Sequence, residues 1–197
     1  MDRTPVEEPR EKITYVLEMQ DRGQLRPRYS QQPDLQVRPV GIPCPAYNRF
    51  FYIMVGMPYR WGGRHHWGDA EWSAYVERPE LETWVAYRAE TPAGYAELER
   101  QENGSVRIEC FGLLPQFVGQ GLGGHLLSVA VARAWEMGAT YVWLTTCSHD
   151  HPHARANYEA RGFRLAETRV GPPNPPWVVP QPLVGGPLPA GVPAAPR

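Results

Sequence analysis

The chain has 197 residues, with 20 Lys and Arg against 21 Asp and Glu, and a formal net charge of −1. That length suits one globular domain with a sizeable core, and a charge so near zero argues against polyanion binding through bulk charge. With 42% hydrophobic and 21% charged residues, the composition is ordinary for a folded protein and wrong for a disordered one.

Met1–Glu11 is charged and holds no apolar core, and no apolar run approaches the roughly 20 residues that span a bilayer. Cys44, Cys110 and Cys147 are far apart and form no C-x-x-C, so neither a disulfide framework nor a cysteine zinc site is expected. These features point to a soluble, cytoplasmic protein with no membrane or nucleic-acid partner.

Ile13–Gln20 has strand character, and Gln24–Pro33 is an irregular link. Leu35–Val40 alternates as a strand does. Pro45 can open a helix over Ala46–Val55, because its missing N–H has no partner there anyway, with Gly56 past the end. Asp69 is the expected N-cap of a second helix reaching Tyr75. A meander of three antiparallel strands follows: Leu81–Tyr87, Ala93–Arg100 and Ser105–Leu114. Thr91-Pro92 breaks the first pair, and the hairpin signal Asn103-Gly104 the second.

Gly119-Gln120-Gly121-Leu122-Gly123-Gly124 then leads into a helix whose rows Leu122, Leu126, Ala130, Ala134 and Leu127, Val131, Trp135 form one apolar face. Gly138 can end it. Tyr141–Thr146 is strand-like, Asp150 and Pro152 open a further helix that Gly162 ends, and Phe163–Arg169 is a last strand. Ten of the 22 prolines lie in Gly171–Arg197, and Pro fixes φ and donates no hydrogen bond. That segment is therefore expected to be a Pro-rich tail, with Trp177-Val178-Val179 its apolar cluster. The organisation expected is an N-terminal extension with one strand (1–34), a main domain (35–170) and the tail (171–197). The class is α+β, a mixed but mainly antiparallel sheet flanked by helices.

The glycine cluster joins a strand to a helix, where successive backbone N–H groups and the positive end of the helix dipole can hold a phosphate. It also spells G-x-G-x-x-G through Gly119, Gly121 and Gly124. A dinucleotide fold needs that motif in the first turn of a βαβ unit, however, and here it follows an antiparallel meander. Tight helix–sheet packing is the bland alternative.

The block Phe111–Leu127, FGLLPQFVGQGLGGHLL, resembles the acetyl-CoA-binding segment of the GNAT N-acetyltransferase superfamily, where Q/R-x-x-G-x-G/A opens a helix. Val118-Gly119-Gln120-Gly121-Leu122-Gly123 fills those six positions, with Val118 where Gln or Arg is usual. Asn157-Tyr158-Glu159-Ala160-Arg161-Gly162-Phe163 is similar to the superfamily's L-Y-E-K-x-G-F segment, and the order of elements agrees over about Leu35–Arg169.

The resemblance implies acetyl-CoA as co-substrate. Backbone groups at Leu113 and Leu114 would meet the pantetheine arm, and the amides of Val118, Gly119, Gln120, Gly121, Leu122, Gly123 and Gly124 the pyrophosphate. It implies that Tyr158 protonates the departing thiolate. Glu109, Glu97, Glu99 and His151 all stand as candidates for the base. His149, His151 and His153 stand too far from convergence to suggest a metal. The loop Met57–Gly68 is where such a fold sets acceptor choice, with Trp61, Trp67 and Trp72 as aromatic walls and Arg60 or Arg64 for an acceptor carboxylate. Trp72 fits core packing better.

The function implied is direct acetyl transfer to a primary amine of a small molecule in a ternary complex. The alternatives are a protein N-terminus or lysine as acceptor, or a non-catalytic CoA-binding module. A homodimer is compatible with this reading.

Overall fold

The stripe Leu122, Leu126, Leu127, Ala130, Val131 and Ala134 has no exposed surface, which seats the glycine-led helix flat on a sheet. The computed structural model describes residues 11–174; the first ten residues and the tail from 175 onward, with Trp177, lie outside the described residues. The elements are β1 (Lys12–Met19), β2 (Leu35–Pro39), α1 (Pro45–Gly56), α2 (Asp69–Val76), β3 (Leu81–Arg88), β4 (Thr91–Arg100), β5 (Val106–Leu113), α3 (Leu122–Glu136), β6 (Val142–Cys147), α4 (Ala154–Ala160) and β7 (Arg164–Gly171). They build the α+β fold expected: one seven-stranded sheet in the order β2-β3-β4-β5-β6-β1-β7, in which β5 and β6 alone run parallel among the described residues.

Helices cover both faces of the sheet. On one side α3, with Tyr158 of α4 and Phe163, packs against Ala96, Leu98, Ile108 and Leu144. On the other, Phe51, Tyr52 and Val55 of α1 join Trp72, Tyr75 and Val76 of α2 over Val85, Tyr95 and Cys110. Strand β4 lies between these layers, so Ala93 through Leu98 are all buried. Among the described residues no helix is long and apolar enough to cross a membrane.

Four details differ from the sequence expectation, each for a local reason. The β3–β4 turn is Ala89-Glu90, with φ of 46° and 60°, and Thr91 and Pro92 already pair with Arg88 and Tyr87. A two-residue hairpin needs this left-handed backbone whether or not it carries Gly or Asn. The N-cap of α2 is Gly68, whose N–H donates to Glu71 Oε2 at 3.0 Å, and Asp69 is the first helical residue. The fourth helix begins at Ala154 rather than at Asp150. Lastly, β1 is an interior strand, antiparallel to both β6 and β7, with Leu17 and Met19 fully buried. The boundary expected at residue 34 therefore runs through one sheet.

The chain leaving β1 straps across the starts and ends of the helices. Arg26 N donates to Arg161 O at 3.0 Å, Arg28 N to Ser128 Oγ at 2.8 Å, and Ser30 N to His125 Nδ1 at 3.1 Å. Gly162 (φ 106°) closes α4 directly beneath the strap, where a Cβ would run into the Gln24 carbonyl. Gly162→Ala must both hold a left-handed backbone and push the strap away. It is expected to lower stability by more than about 2 kcal/mol in urea unfolding; a loss below about 0.5 kcal/mol would show that the strap yields.

Candidate active site

Strands β5 and β6 pair only from Val106–Ile108 to Val142–Leu144 and then diverge. A cleft of about 1060 Å³ opens at their parting, lined by Glu109–Leu113, Thr145–Cys147, the glycine loop, Tyr158 and the loop after α1. Beyond Ile108 the β6-facing edge of β5 has no strand partner among the described residues.

At one end stands the start of α3. Gly119 and Gly121 have φ of 84° and 78°, a backbone that side chains rarely adopt, and Gly121 caps the helix with no side-chain hydrogen bond. The first N–H groups of α3 thus have no side-chain cap. Two arginines that the sequence did not point to flank them. A Cβ on Gly124 would come within 2.6 Å of Arg161 Nη1 and 3.2 Å of Arg28 Cδ. Burial, then the charge of Arg28, pushes the Arg161 guanidinium below its usual range, and its Nε is buried without a partner. Two cations and a helix N-terminus converge here, and the ion pairs among the described residues leave both arginines out.

Not every residue expected at this end reaches the cleft. Leu113, Val118, Gly119, Gly121, Gly123 and Gly124 line it. The Val118 N–H already donates to Pro115 O at 3.3 Å and that of Leu114 to Ala93 O at 2.9 Å. Leu122 is fully buried in the core, leaving only its backbone for a ligand. Gln120 turns back to donate from Nε2 to Gln116 O.

Tyr158 sits midway, 6% exposed, edge-on to Phe111 with ring centroids 5.8 Å apart. Burial, and next the nearby Asp150 carboxylate, pushes its phenol well above the usual range. The hydroxyl therefore stays protonated at neutral pH.

The other end of the cleft is aromatic and contains a locked ion network. Arg64 donates to Glu97 Oε2 at 2.9 Å and to Glu109 Oε1 at 2.7 Å, and its guanidinium lies 3.9 Å from the centre of the Tyr75 ring. Burial opposes that charge, but Cys110, Glu97, Tyr75 and Glu109 together outweigh it and hold the cation firmly. Glu97 has no exposed surface; it also accepts from Asn48 Nδ2 at 2.8 Å and Tyr75 Oη at 2.7 Å. Glu109 lines the cleft, and Arg107 Nε stands 2.7 Å from its second oxygen. Arg64, Glu97 and Glu109 are thus bound first to each other. The sequence separations of 33 and 45 residues hide that arrangement from any motif.

Trp61 is held from two sides. It packs on Gly56, where a Cβ would come within 2.6 Å of the indole, and its Nε1 donates to Asp150 Oδ1 at 3.1 Å. Trp72 is core, 1% exposed. Asp150, expected to open a helix, instead accepts from Thr146 Oγ1 at 2.6 Å and Cys147 N at 2.9 Å on β6. The His151 and His153 rings stand 5.3 Å apart, and among the described residues no group of three His, Cys, Asp or Glu side chains could hold a metal.

Comparison with known proteins agrees with the fold. The Acetyltransferase (GNAT) family model matches residues 48–163. No curated protein matches. A GCN5-related N-acetyltransferase from Kribbella flavida aligns over 80% of this chain and 56% of its own, with 19% identity and a TM-score of 0.57. One from Sphaerobacter thermophilus aligns over 82% of this chain and 51% of its own, with 14% identity and a TM-score of 0.61. An aminoglycoside acetyltransferase from an uncultured soil metagenomic sample aligns over 67% of this chain and 90% of its own, with 12% identity and a TM-score of 0.56. At such identities the likeness is one of fold, and the chain spans little more than half the length of the first two.

Arg64→Met removes the cation that Glu97 and Glu109 share and leaves Glu97 charged, buried and without its counter-ion. It is expected to lower stability by about 3–5 kcal/mol in urea unfolding, and Arg64→Met with Glu97→Gln to recover part of that loss. Equal stability of the single and double variants would show that Glu97 does not depend on Arg64.

Proposed function

The chain belongs to the GNAT acetyltransferase family, and from that premise we propose that it transfers the acetyl group of acetyl-CoA directly to a primary amine of a small molecule. One observation carries the reading. A single cleft joins an uncapped, arginine-flanked helix start to an aromatic mouth, with a protonated tyrosine between them.

The pyrophosphate of acetyl-CoA suits the helix start, where N–H groups, the helix dipole, Arg28 and Arg161 all favour an anion. The pantetheine arm suits the open edge of β5 beyond Ile108, where it can take hydrogen bonds as a strand would. The thioester then lies toward Tyr158. Attack by the neutral amine forms the C–N bond, and the C–S pair leaves on sulfur. Tyr158, kept protonated by burial, donates to that thiolate.

Direct transfer is supported by the thiols at hand. Burial, then Glu97, pushes Cys110 up, and burial, then Asp150, pushes Cys147 up, so neither is an activated nucleophile. A small acceptor is supported by the mouth itself, walled by Tyr52, Trp61 and Trp67. Glu97 and Glu109 serve by fixing Arg64, which braces the loop carrying Trp61.

The test is to incubate the protein with acetyl-CoA and a panel of amines and follow free thiol. Saturable acetyl-CoA binding with no thiol released from any amine would replace the enzyme by a binding module. Tyr158→Phe is expected to keep acetyl-CoA affinity and slow turnover by roughly 10²-fold. Turnover at the wild-type rate would remove Tyr158 from the mechanism. Arg28→Ala and Arg161→Ala are each expected to weaken CoA binding about ten-fold, and less so at high salt; unchanged affinity in both would move the pyrophosphate elsewhere.

A further inference from the structure

Three carboxylates stand at the aromatic end of the cleft, and they are not equivalent. Glu97 and Glu109 share Arg64, and Arg107 adds a second cation beside Glu109. Asp150 also lines the cleft, yet the three hydrogen bonds that its carboxylate accepts among the described residues come from neutral donors: Trp61 Nε1, Thr146 Oγ1 and Cys147 N. No Lys, Arg or His among the described residues forms an ion pair with it. These donors hold the carboxylate in place without cancelling its charge.

We propose that Asp150 is the anchor and proton acceptor for the ammonium of the acceptor, and that the acceptor is an amine on an apolar or aromatic body. The site is built for such a cation. Tyr59 and Trp61 stand beside the carboxylate, and with Tyr52 and Trp67 they offer π faces and apolar surface for the body. Arg64, already held by two carboxylates, is not available as the partner of an acceptor carboxylate.

The proposal rests on the acetyltransferase reading and completes its proton balance. The amine arrives as an ammonium. Asp150 takes one proton from it and passes that proton to solvent, leaving the lone pair free to attack the thioester carbonyl. As the C–S bond breaks, Tyr158 protonates the sulfur. The second proton lost by nitrogen restores the phenol. The products are the amide, CoA as thiol and one net proton.

The groups facing Asp150 are Tyr59 from the loop after α1, Cys147 on β6 and Tyr158 on α4. Lys12 of β1 and His151 also line the cleft; Lys12 acts on Cys147, and His151 lies edge-on to Tyr59. Burial raises Tyr59, Cys147 and Tyr158, so these three stay neutral near pH 7.

The probes are phenethylamine, its N,N,N-trimethyl analogue, which keeps the charge but has no proton to give, and 3-phenylpropionate, an anion of similar body. Each is titrated into the CoA-loaded protein and followed by tryptophan fluorescence; thiol release from acetyl-CoA is measured with phenethylamine. The wild type is expected to bind both cations and not the anion. Asp150→Asn is expected to lose ten-fold or more in cation affinity with CoA affinity unchanged, and to lose transfer at neutral pH. Its transfer should recover as the pH approaches the amine's own value, near ~10, where the free amine needs no base.

Cation binding by Asp150→Asn equal to the wild type, or a wild-type preference for the anion, would overturn the proposal. Loss of cation affinity with no recovery of transfer at high pH would overturn the proton-accepting half alone. Cation binding that needs Asp150 but releases no thiol would fail the acetyltransferase reading and leave the anchor standing. Undiminished thiol release from Asp150→Asn would do the reverse. If Asp150→Asn does not fold, Thr146→Val decides: it removes one donor and keeps the carboxylate, so cation affinity should fall several-fold with CoA affinity unchanged, and no change would overturn the proposal.

Discussion

The parting of β5 from β6 is the constraint on which the rest of this molecule depends. Two neighbouring parallel strands need a crossover, and here it is α3, which must start where β5 ends. That places the N-terminus of the helix at the mouth of the gap. The gap strips β5 of its partner beyond Ile108, which leaves backbone groups to be satisfied from outside the sheet. An extended ligand with an anionic end meets both demands. β1 then closes the far side of β6 along its length, so the sheet opens at one place without losing its edge.

Charge in and around this gap is sorted by whether it has a partner. Arg64 is surrounded: two carboxylates and an aromatic face hold it. Arg28 and Arg161 stand together at the helix start, where burial, then like charge, lowers the Arg161 guanidinium's hold on its proton. Asp150 is fixed by neutral donors. Buried ion pairs contribute little net stability against well-packed apolar residues, but breaking one is costly. The Arg64 network therefore rigidifies the loop that carries Trp61, while the unpaired charges remain for ligands.

Legibility in the sequence followed the range of the interaction. The apolar rows of α3, the Asn103-Gly104 turn with Gly104 at φ 80°, and Gly138 at φ 84° past the end of α3 all depend on neighbours within a few positions, and all were legible. The Ala89-Glu90 turn was not, because its backbone carries none of the residues that usually announce it. Arg28 lies in a link with no periodicity and reaches the site only because the strap from β1 crosses α3. Asp150 resembled a helix cap because a Pro follows two positions later, yet its partners lie behind it on β6 and 89 residues away at Trp61.

By itself the sequence determined the α+β class, the glycine-led helix and its ligand-facing loop, the order of elements and the family likeness. Each of these is written in local spacing or in a contiguous motif. Only the tertiary structure decided where β1 goes, which charges cancel and which do not. Strand order and ion pairing are set by distances between segments far apart in the chain, and the near-zero net charge read at the outset does not reveal how its members pair. In the fold, Arg64 is locked inside, and Arg28, Arg161 and Asp150 line the cleft with no ion-pair partner among the described residues.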